Sequence, residues 1–246
     1  EVAAKLNRYP DRDAINLRKG LADYLKKQTK VDLDVENIWA ANGSNEILQS
    51  IFLAFGSAKA LGFVPSYSMH PLIGKVANVE WVDGARKADF TLDLAGALQQ
   101  INELKPALTF ITTPNNPTGA AVTISEIEEL AKAAASVNGL LVVDEAYAEF
   151  SSQKSAITLI SKYPNVLVSR TMSKAFAFAG VRLGYMAANK AVIDAIQLVR
   201  LPYHLSAITQ AAAEVALDFQ DELLAEVSKL SADRDLLSAA LKELGL

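Results

Sequence analysis

Leu140-Leu141-Val142-Val143-Asp144-Glu145-Ala146-Tyr147 is the stretch that decides the fold. A strand with one wet face alternates polar and apolar side chains. Leu140 to Val143 does not alternate, so it reads as a short strand covered on both sides. The carboxylate that follows stands at the end of a buried strand, where it is costly unless something pairs with it.

The same pattern recurs on both sides of this stretch. Upstream, Ala107 to Thr112 reads as a strand ended by Pro114, Ala60 to Val64 as one stopped by Pro65, and Ile38 to Ala41 as one followed by an Asn42-Gly43-Ser44-Asn45 turn. Val79 to Val82 adds a further strand. Downstream, Asn165 to Ser169 and Leu183 to Ala187 are of the same kind. Between them lie helical periods. Ile47, Ile51 and Phe55 are spaced for one face of a helix over 46–55, and Thr123-Ile124-Ser125-Glu126 has the spacing of a capping box that opens a helix through Ala135. Unalternating strands separated by helices give an α/β fold, a mostly parallel sheet between helices. After Ala188 the pattern is helical only: 190–199, a break at Pro202, 205–219, and a long amphipathic helix over 222–244. We expect a large domain over 1–219 and, over 220–246, a helix leading into a second, smaller domain. The first residues read as a helix end, so both ends look like cut edges of something longer.

Composition narrows the function classes. With 28 acidic against 24 basic residues the net charge is -4, so no basic field favours nucleic acid. No apolar run approaches the roughly 20 residues of a membrane span. Glu1-Val2-Ala3-Ala4-Lys5 is no signal-peptide start. Cysteine is absent, and His70 and His204 have no metal-ligand spacing, so no metal site is expected. A cytoplasmic protein fits these features. There is no Gly-x-Ser-x-Gly elbow and no P-loop.

Polar clusters sit at the carboxyl ends of the strands, where open α/β sheets bind ligands. In Thr171-Met172-Ser173-Lys174, followed by Arg182, a lysine stands among two hydroxyls and a guanidinium. That set suits an amine that forms an imine beside a bound phosphate. Gly43-Ser44-Asn45 offers backbone N–H groups and a hydroxyl to a phosphate, or simply caps a helix. Tyr67 is placed to stack on a planar ring, or is a plain loop tyrosine. Asn116, in a turn made rigid by Pro114, Pro117 and Gly119, can offer its amide to a fixed acceptor. Asp144 either caps the next segment or pairs with a pyridinium N–H, and Tyr147 can reach the ring oxygen. One cofactor asks for all of these together, pyridoxal 5′-phosphate.

These residues resemble the fold-type-I pyridoxal-phosphate enzymes, the aspartate aminotransferase superfamily. Asn116-Pro117-Thr118-Gly119, Asp144-Glu145-Ala146-Tyr147 and Ser173-Lys174 with Arg182 occur in that family's order. Leu6-Asn7-Arg8-Tyr9-Pro10, Ala41 to Glu46, Pro65 to Met69, Val143 to Phe150 and Arg170 to Phe176 are most similar to its histidinol-phosphate aminotransferase branch and, next, to its aromatic aminotransferases. The resemblance implies the large domain of that fold with only the start of the C-terminal small domain. It also implies transfer of an amino group between histidinol phosphate and 2-oxoglutarate, with an aromatic amino acid or a decarboxylated phosphoamino acid as the alternative substrate. Lys174 would be the catalytic lysine. Asp144 would face the ring nitrogen, Asn116 and Tyr147 the ring oxygen, and Tyr67 the ring. Ser44, Asn45, Thr171, Ser173 and Arg182 would hold the phosphate. Tyr9 would reach the cofactor phosphate of a neighbouring subunit, which implies a homodimer. Two features of the family are not in the sequence: an Asn-Glu-Asn-Pro arm ahead of Tyr9, and a C-terminal strand with the substrate-binding arginine. Arg200 and Arg234 lie in helical segments that do not match it. A cofactor-binding portion without turnover is therefore a further alternative.

Overall fold

The computed structural model describes residues 2–245. One seven-stranded sheet runs through it, with strands β1 (Ile38–Ala41), β2 (Ala60–Val64), β3 (Trp81–Ala85), β4 (Leu108–Thr112), β5 (Leu140–Asp144), β6 (Val166–Thr171) and β7 (Gly184–Ala188) in the spatial order β1-β7-β6-β5-β4-β2-β3. All neighbours pair in parallel except β7, which is antiparallel to both β6 and β1.

The unalternating strands are buried on both faces, as their sequences require. Leu141 and Val143 of β5 and Val166 and Val168 of β6 join one core, while Val142 and Leu167 between them join the other. The first core is closed by α1 (Ile15–Thr29), α4 (Leu94–Leu104), α5 (Ile124–Ser136) and α7 (Ala207–Asp218), the second by α2 (Ser44–Phe55), α3 (Met69–Val76) and α6 (Lys190–Val199). Helix α5 opens on the expected capping box: Thr123 accepts from Glu126 N, and the Glu126 carboxylate accepts from Thr123 N.

Several expectations are corrected. The strand expected at 79–82 is Trp81–Ala85, because Val79 closes the preceding helix against Gly74 rather than starting the ladder. The initial residues form a short 3-10 helix, Val2–Lys5. Helices α1, α3 and α4 were not legible: Ala14 ahead of α1 makes no side-chain cap, α3 carries Pro71 and Gly74, and α4 opens on a single Asp93 cap. The last helix, α8 (Gln220–Glu243), is not amphipathic against this core. Only Val227 is buried, while Leu230, Leu236, Leu237 and Leu244 face outward. Among the described residues no helix is long and apolar enough to cross a membrane.

Chain direction positions the site. From β2 the chain runs outward to β3, then returns past β2 to β4 and continues the other way. Loops leaving β2 and β4 therefore diverge and open a crevice at the carboxyl edge of the sheet.

Candidate active site

A cavity of about 190 Å³ lies at that edge. Ser44, Asn45, Tyr67, Asn116, Asp144, Tyr147, Thr171, Ser173, Lys174 and Arg182 all line it, so every residue singled out from the sequence converges there except Tyr9. They arrive from the ends of β1, β2, β4, β5 and β6 and from the turn into β7. Tyr9 stands outside, 80% exposed, its ring stacked 4.5 Å from that of Tyr203.

One side of the cavity is built for an anion. Helix α2 starts at Ser44 with Gly43 as its cap, so the Ser44 hydroxyl is not spent on capping. The first N–H groups of a helix have no intrahelical partner and point outward with the positive end of its dipole. Two glycines make the approach close enough. A Cβ on Gly43, whose φ is +82°, would fall 2.5 Å from Arg182 Nη2; the guanidinium occupies that space. A Cβ on Gly184 would fall 2.2 Å from Ser44 N, so β7 lies directly against the start of α2. Arg182 itself has φ 61°, a strained value for a side-chain-bearing residue, and its Nη1 donates to Ala179 O at 3.0 Å. Opposite it, Thr171 Oγ1 lies 3.0 Å from Ser173 Oγ and accepts from Ser173 N at 3.2 Å, which folds the turn and brings Lys174 round. Lys174 Nζ sits 5.5 Å from the centre of the Tyr147 ring.

The floor is built for a donor. Asp144 is 2% exposed, with Oδ2 2.9 Å from His70 Nε2 and Oδ1 accepting from Ala146 N at 3.2 Å. Asp144 makes a local turn bond and also lines the cavity. His70 was missed as a site residue. It lies in the first turn of α3, 2% exposed, and is enclosed by the rings of Tyr67, Phe110 and Trp81. The available signal was its place three residues beyond Tyr67 in a chain with one other histidine. Tyr67 forms the side wall, its hydroxyl donating to Asn45 Oδ1 at 3.2 Å. Asn115 was missed too. It is 3% exposed and ties the loop carrying Tyr67 to the loop carrying Asn116.

Behind the cavity lies a second charged cluster. Arg170 donates through Nε to Glu145 Oε2 and through Nη1 to Glu149 Oε1, each at 2.9 Å. Burial alone would lower its pKa, but the Glu145 and Glu149 carboxylates outweigh this and raise it. Arg200 takes no part in the cavity. It pairs with Asp13 at 2.5 Å and covers the Trp39 ring. Arg234 borders an open groove of about 610 Å³ that shares Asn116 and Tyr147 with the cavity. Among the described residues no group of three or more His, Cys, Asp or Glu side chains is placed to hold a metal ion.

The residues present fit pyridoxal phosphate on their chemistry. Helix N–H groups, hydroxyls and a guanidinium suit its phosphate, and the buried Asp144 carboxylate suits a ring N–H. The amine of Lys174 suits an aldehyde.

Comparison with known proteins points the same way. The family described as "Aminotransferase class I and II" matches residues 2–246. Curated relatives include the histidinol-phosphate aminotransferase of Nocardia farcinica, 57% identical over 99% of this chain and 63% of its own length, and that of Thermobifida fusca, 57% identical over 96% and 64%. The chain thus spans a little under two thirds of the curated relatives it matches. Among solved structures, histidinol-phosphate aminotransferase from Sinorhizobium meliloti in complex with pyridoxal-5′-phosphate superposes with a TM-score of 0.87 at 27% identity, covering 99% of this chain and 65% of that one. The Clostridium acetobutylicum enzyme gives 0.86 at 25%, covering 99% and 71%.

Proposed function

This chain belongs to the class I and II aminotransferases, and on that premise we propose that it is the cofactor-binding large domain of a histidinol-phosphate aminotransferase. The observation that carries this is the convergence of Ser44, Asn45, Tyr67, Asn116, Asp144, Tyr147, Thr171, Ser173, Lys174 and Arg182 on one cavity. Pyridoxal phosphate, when bound, supplies an aldehyde for the substrate amine and a ring that takes up the electrons left when the Cα–H bond breaks.

The chain's own groups do the rest. Ser44, Asn45, Thr171, Ser173 and Arg182 bind the phosphate, where the α2 dipole adds to the guanidinium charge. Asp144, held by His70, accepts from the ring nitrogen and keeps its proton in place. Asn116 and Tyr147 donate to the ring oxygen, and Tyr67 packs on the ring face. Lys174 Nζ holds the cofactor covalently. As a free amine, Lys174 Nζ would take the proton from the substrate α-carbon as base and, then protonated, would give it up again as acid.

Histidinol phosphate is the amino donor in this reading, which the relatives' names support, and 2-oxoglutarate is taken as the acceptor. A homodimer is part of it. Tyr9 is 80%, Val76 75%, Leu198 87% and Leu201 75% exposed, apolar surface that a second copy would cover, and Tyr9 would then reach the partner's cofactor phosphate. A cytoplasmic setting suits a cysteine-free biosynthetic enzyme.

The test is an absorbance titration of the purified chain with pyridoxal phosphate, followed by histidinol phosphate and, separately, phenylalanine. A visible band that forms, disappears in Lys174→Ala and is discharged first by histidinol phosphate supports the reading. Faster discharge by phenylalanine transfers it to the aromatic branch. A band that neither amine discharges leaves a cofactor-binding portion without turnover, and a band that persists in Lys174→Ala removes that lysine from its role.

A further inference from the structure

The crevice at the carboxyl edge opens where β2 and β4 part company, and two side chains bridge it that do not line the cavity. Asn115 Nδ2 donates to Pro65 O at 3.0 Å and to Thr118 Oγ1 at 2.8 Å, which fixes the amide so that Oδ1 faces Ser66 Oγ at 2.9 Å. Ser66 Oγ also lies 3.0 Å from Thr112 Oγ1. A hydroxyl has one proton, and an amide oxygen only accepts. The Ser66 proton therefore goes to Asn115 Oδ1, and the contact with Thr112 is made with the threonine's own proton. The result is a closed chain from the end of β4, through the loop after β2, back to the loop after β4. Backbone bonds hold the same residue from behind: Asn115 N donates to Ala120 O at 2.8 Å, and its carbonyl accepts from Gly119 N at 2.7 Å.

Ser66 immediately precedes Tyr67, and Asn115 immediately precedes Asn116. One of those neighbours walls the cavity for the ring face, and the other borders it for the ring oxygen. We propose that Ser66 and Asn115 are positioning residues for the cofactor ring, setting how far Tyr67 stands from Asn116 across the crevice. This rests on the pyridoxal-phosphate reading above. The phosphate side is built from other elements, Ser44 and Asn45 on α2 and Thr171, Ser173 and Arg182 around β6 and β7. Its one tie to the staple is the Tyr67–Asn45 hydrogen bond. Loosening the staple thus acts on the ring and spares the anion site.

The experiment uses cofactor-free full chain and two probes, pyridoxal phosphate and inorganic phosphate. Ser66→Ala leaves the buried Asn115 oxygen without its donor, and pyridoxal phosphate should bind about tenfold more weakly. The absorbance maximum of the bound cofactor should move in the direction seen in Asn116→Ala. The dissociation constant for inorganic phosphate should stay within about twofold, and Ser66→Thr, which restores the hydroxyl, should restore both readouts. Equal losses for the two probes would make the staple a general structural element and overturn the proposal, as would unchanged pyridoxal-phosphate binding in Ser66→Ala or failure of Ser66→Thr to rescue. Absence of binding by the unmodified chain is a different outcome: it sinks the cofactor reading, and this proposal with it.

Discussion

Gly184→Ala should dismantle the anion side of the cavity. The added Cβ would sit 2.2 Å from Ser44 N, 2.3 Å from Gly43 C and 2.7 Å from Gly43 O, all backbone atoms, whereas ordinary contact begins at 3.4 Å. The two segments must therefore separate by about 1.2 Å, the difference between 3.4 and 2.2. Strand β7 cannot yield sideways. Gly184 is paired with Ala41 on one side and Thr171 on the other. The start of α2 must move instead, and it carries Ser44 and Asn45 of the cavity wall. Such overpacking costs about 1–3 kcal/mol. For a chain of this size each kcal/mol lowers Tm by about 2–4 °C, so the expected fall is about 2–12 °C. A displacement of this size also breaks a hydrogen bond to an anion, which is worth about 1.5–3 kcal/mol, so pyridoxal-phosphate affinity should drop by at least about tenfold. Thermal unfolding by circular dichroism and a cofactor titration read the two effects. Gly180→Ala is the control from the same segment, because a Cβ there meets nothing within 4 Å. If Gly184→Ala melts and binds like Gly180→Ala, the close approach of β7 to α2 is not what shapes the cradle.

Arg170→Met should be among the most damaging changes outside the cavity, about 3–5 kcal/mol, since it strands Glu145 and Glu149 in the interior. Chemical denaturation of the variant beside the unmodified chain measures the loss, and a difference below about 1 kcal/mol would show that the pair is not holding these carboxylates. Tyr185→Phe removes a buried hydroxyl that lies beside Arg170 without meeting it in good hydrogen-bond geometry, and should leave stability at neutral pH within about 0.5 kcal/mol or raise it slightly. Its effect should appear in alkali. Burial pushes the phenols of Tyr24 and Tyr185 up, so their contribution is intact below the ordinary phenol value near 10 and is lost as pH climbs from there towards the raised folded values. Each phenol adds up to about 1.4 kcal/mol per pH unit to that decline, and Tyr185→Phe should make the fall of stability above pH 10 less steep by about that increment. An unchanged alkaline slope would remove Tyr185 from this account. His70→Leu takes away the Asp144 partner at 2.9 Å and should cost about 1–3 kcal/mol in chemical denaturation, together with cofactor affinity. Unchanged binding would show that Asp144 does not need the imidazole.

The sheet was legible because its signal is local. Val142 and Leu167 go to one core and their neighbours to the other, so both faces of β5 and β6 are apolar and no alternation breaks the run. The start of α5 was legible in its capping box, whereas α1 follows Ala14 in a left-handed conformation and α4 has a single Asp93 cap without the reciprocal Glu; α2, with no side-chain cap at all, was read from its apolar spacing alone. The outward leucines of α8 were misread because an amphipathic period says that a face exists and not that this core receives it. Residues that stand at strand ends and line the cavity were read one by one. Those acting through another residue were not. His70 shows its role only in its distance to Asp144, and Asn115 only in bonds that cross from one loop to another, with nearly fifty positions of sequence between the partners.

The edge of the sheet also explains why adjacent residues of one motif divide their work. Asp144 and Glu145 are successive carboxylates at the end of β5, and Arg170 and Thr171 are successive residues at the end of β6, the strand beside it. A strand sends consecutive side chains to opposite faces. Asp144 and Thr171 therefore enter the cavity, while Glu145 and Arg170 meet each other on the far side, at 2.7 Å, with Glu149 completing the cluster. The ion pair is thus the back of the same two strand ends whose front faces the cavity. It ties β5 to β6 at their last residues, beside the backbone bond from Glu145 N to Ser169 O at 2.9 Å. Rigidity at that point fixes the separation between the acceptor in Asp144 and the turn that carries Ser173 and Lys174. A motif read as one functional unit is in this way two units, one chemical and one mechanical, divided by the pleat of the strand.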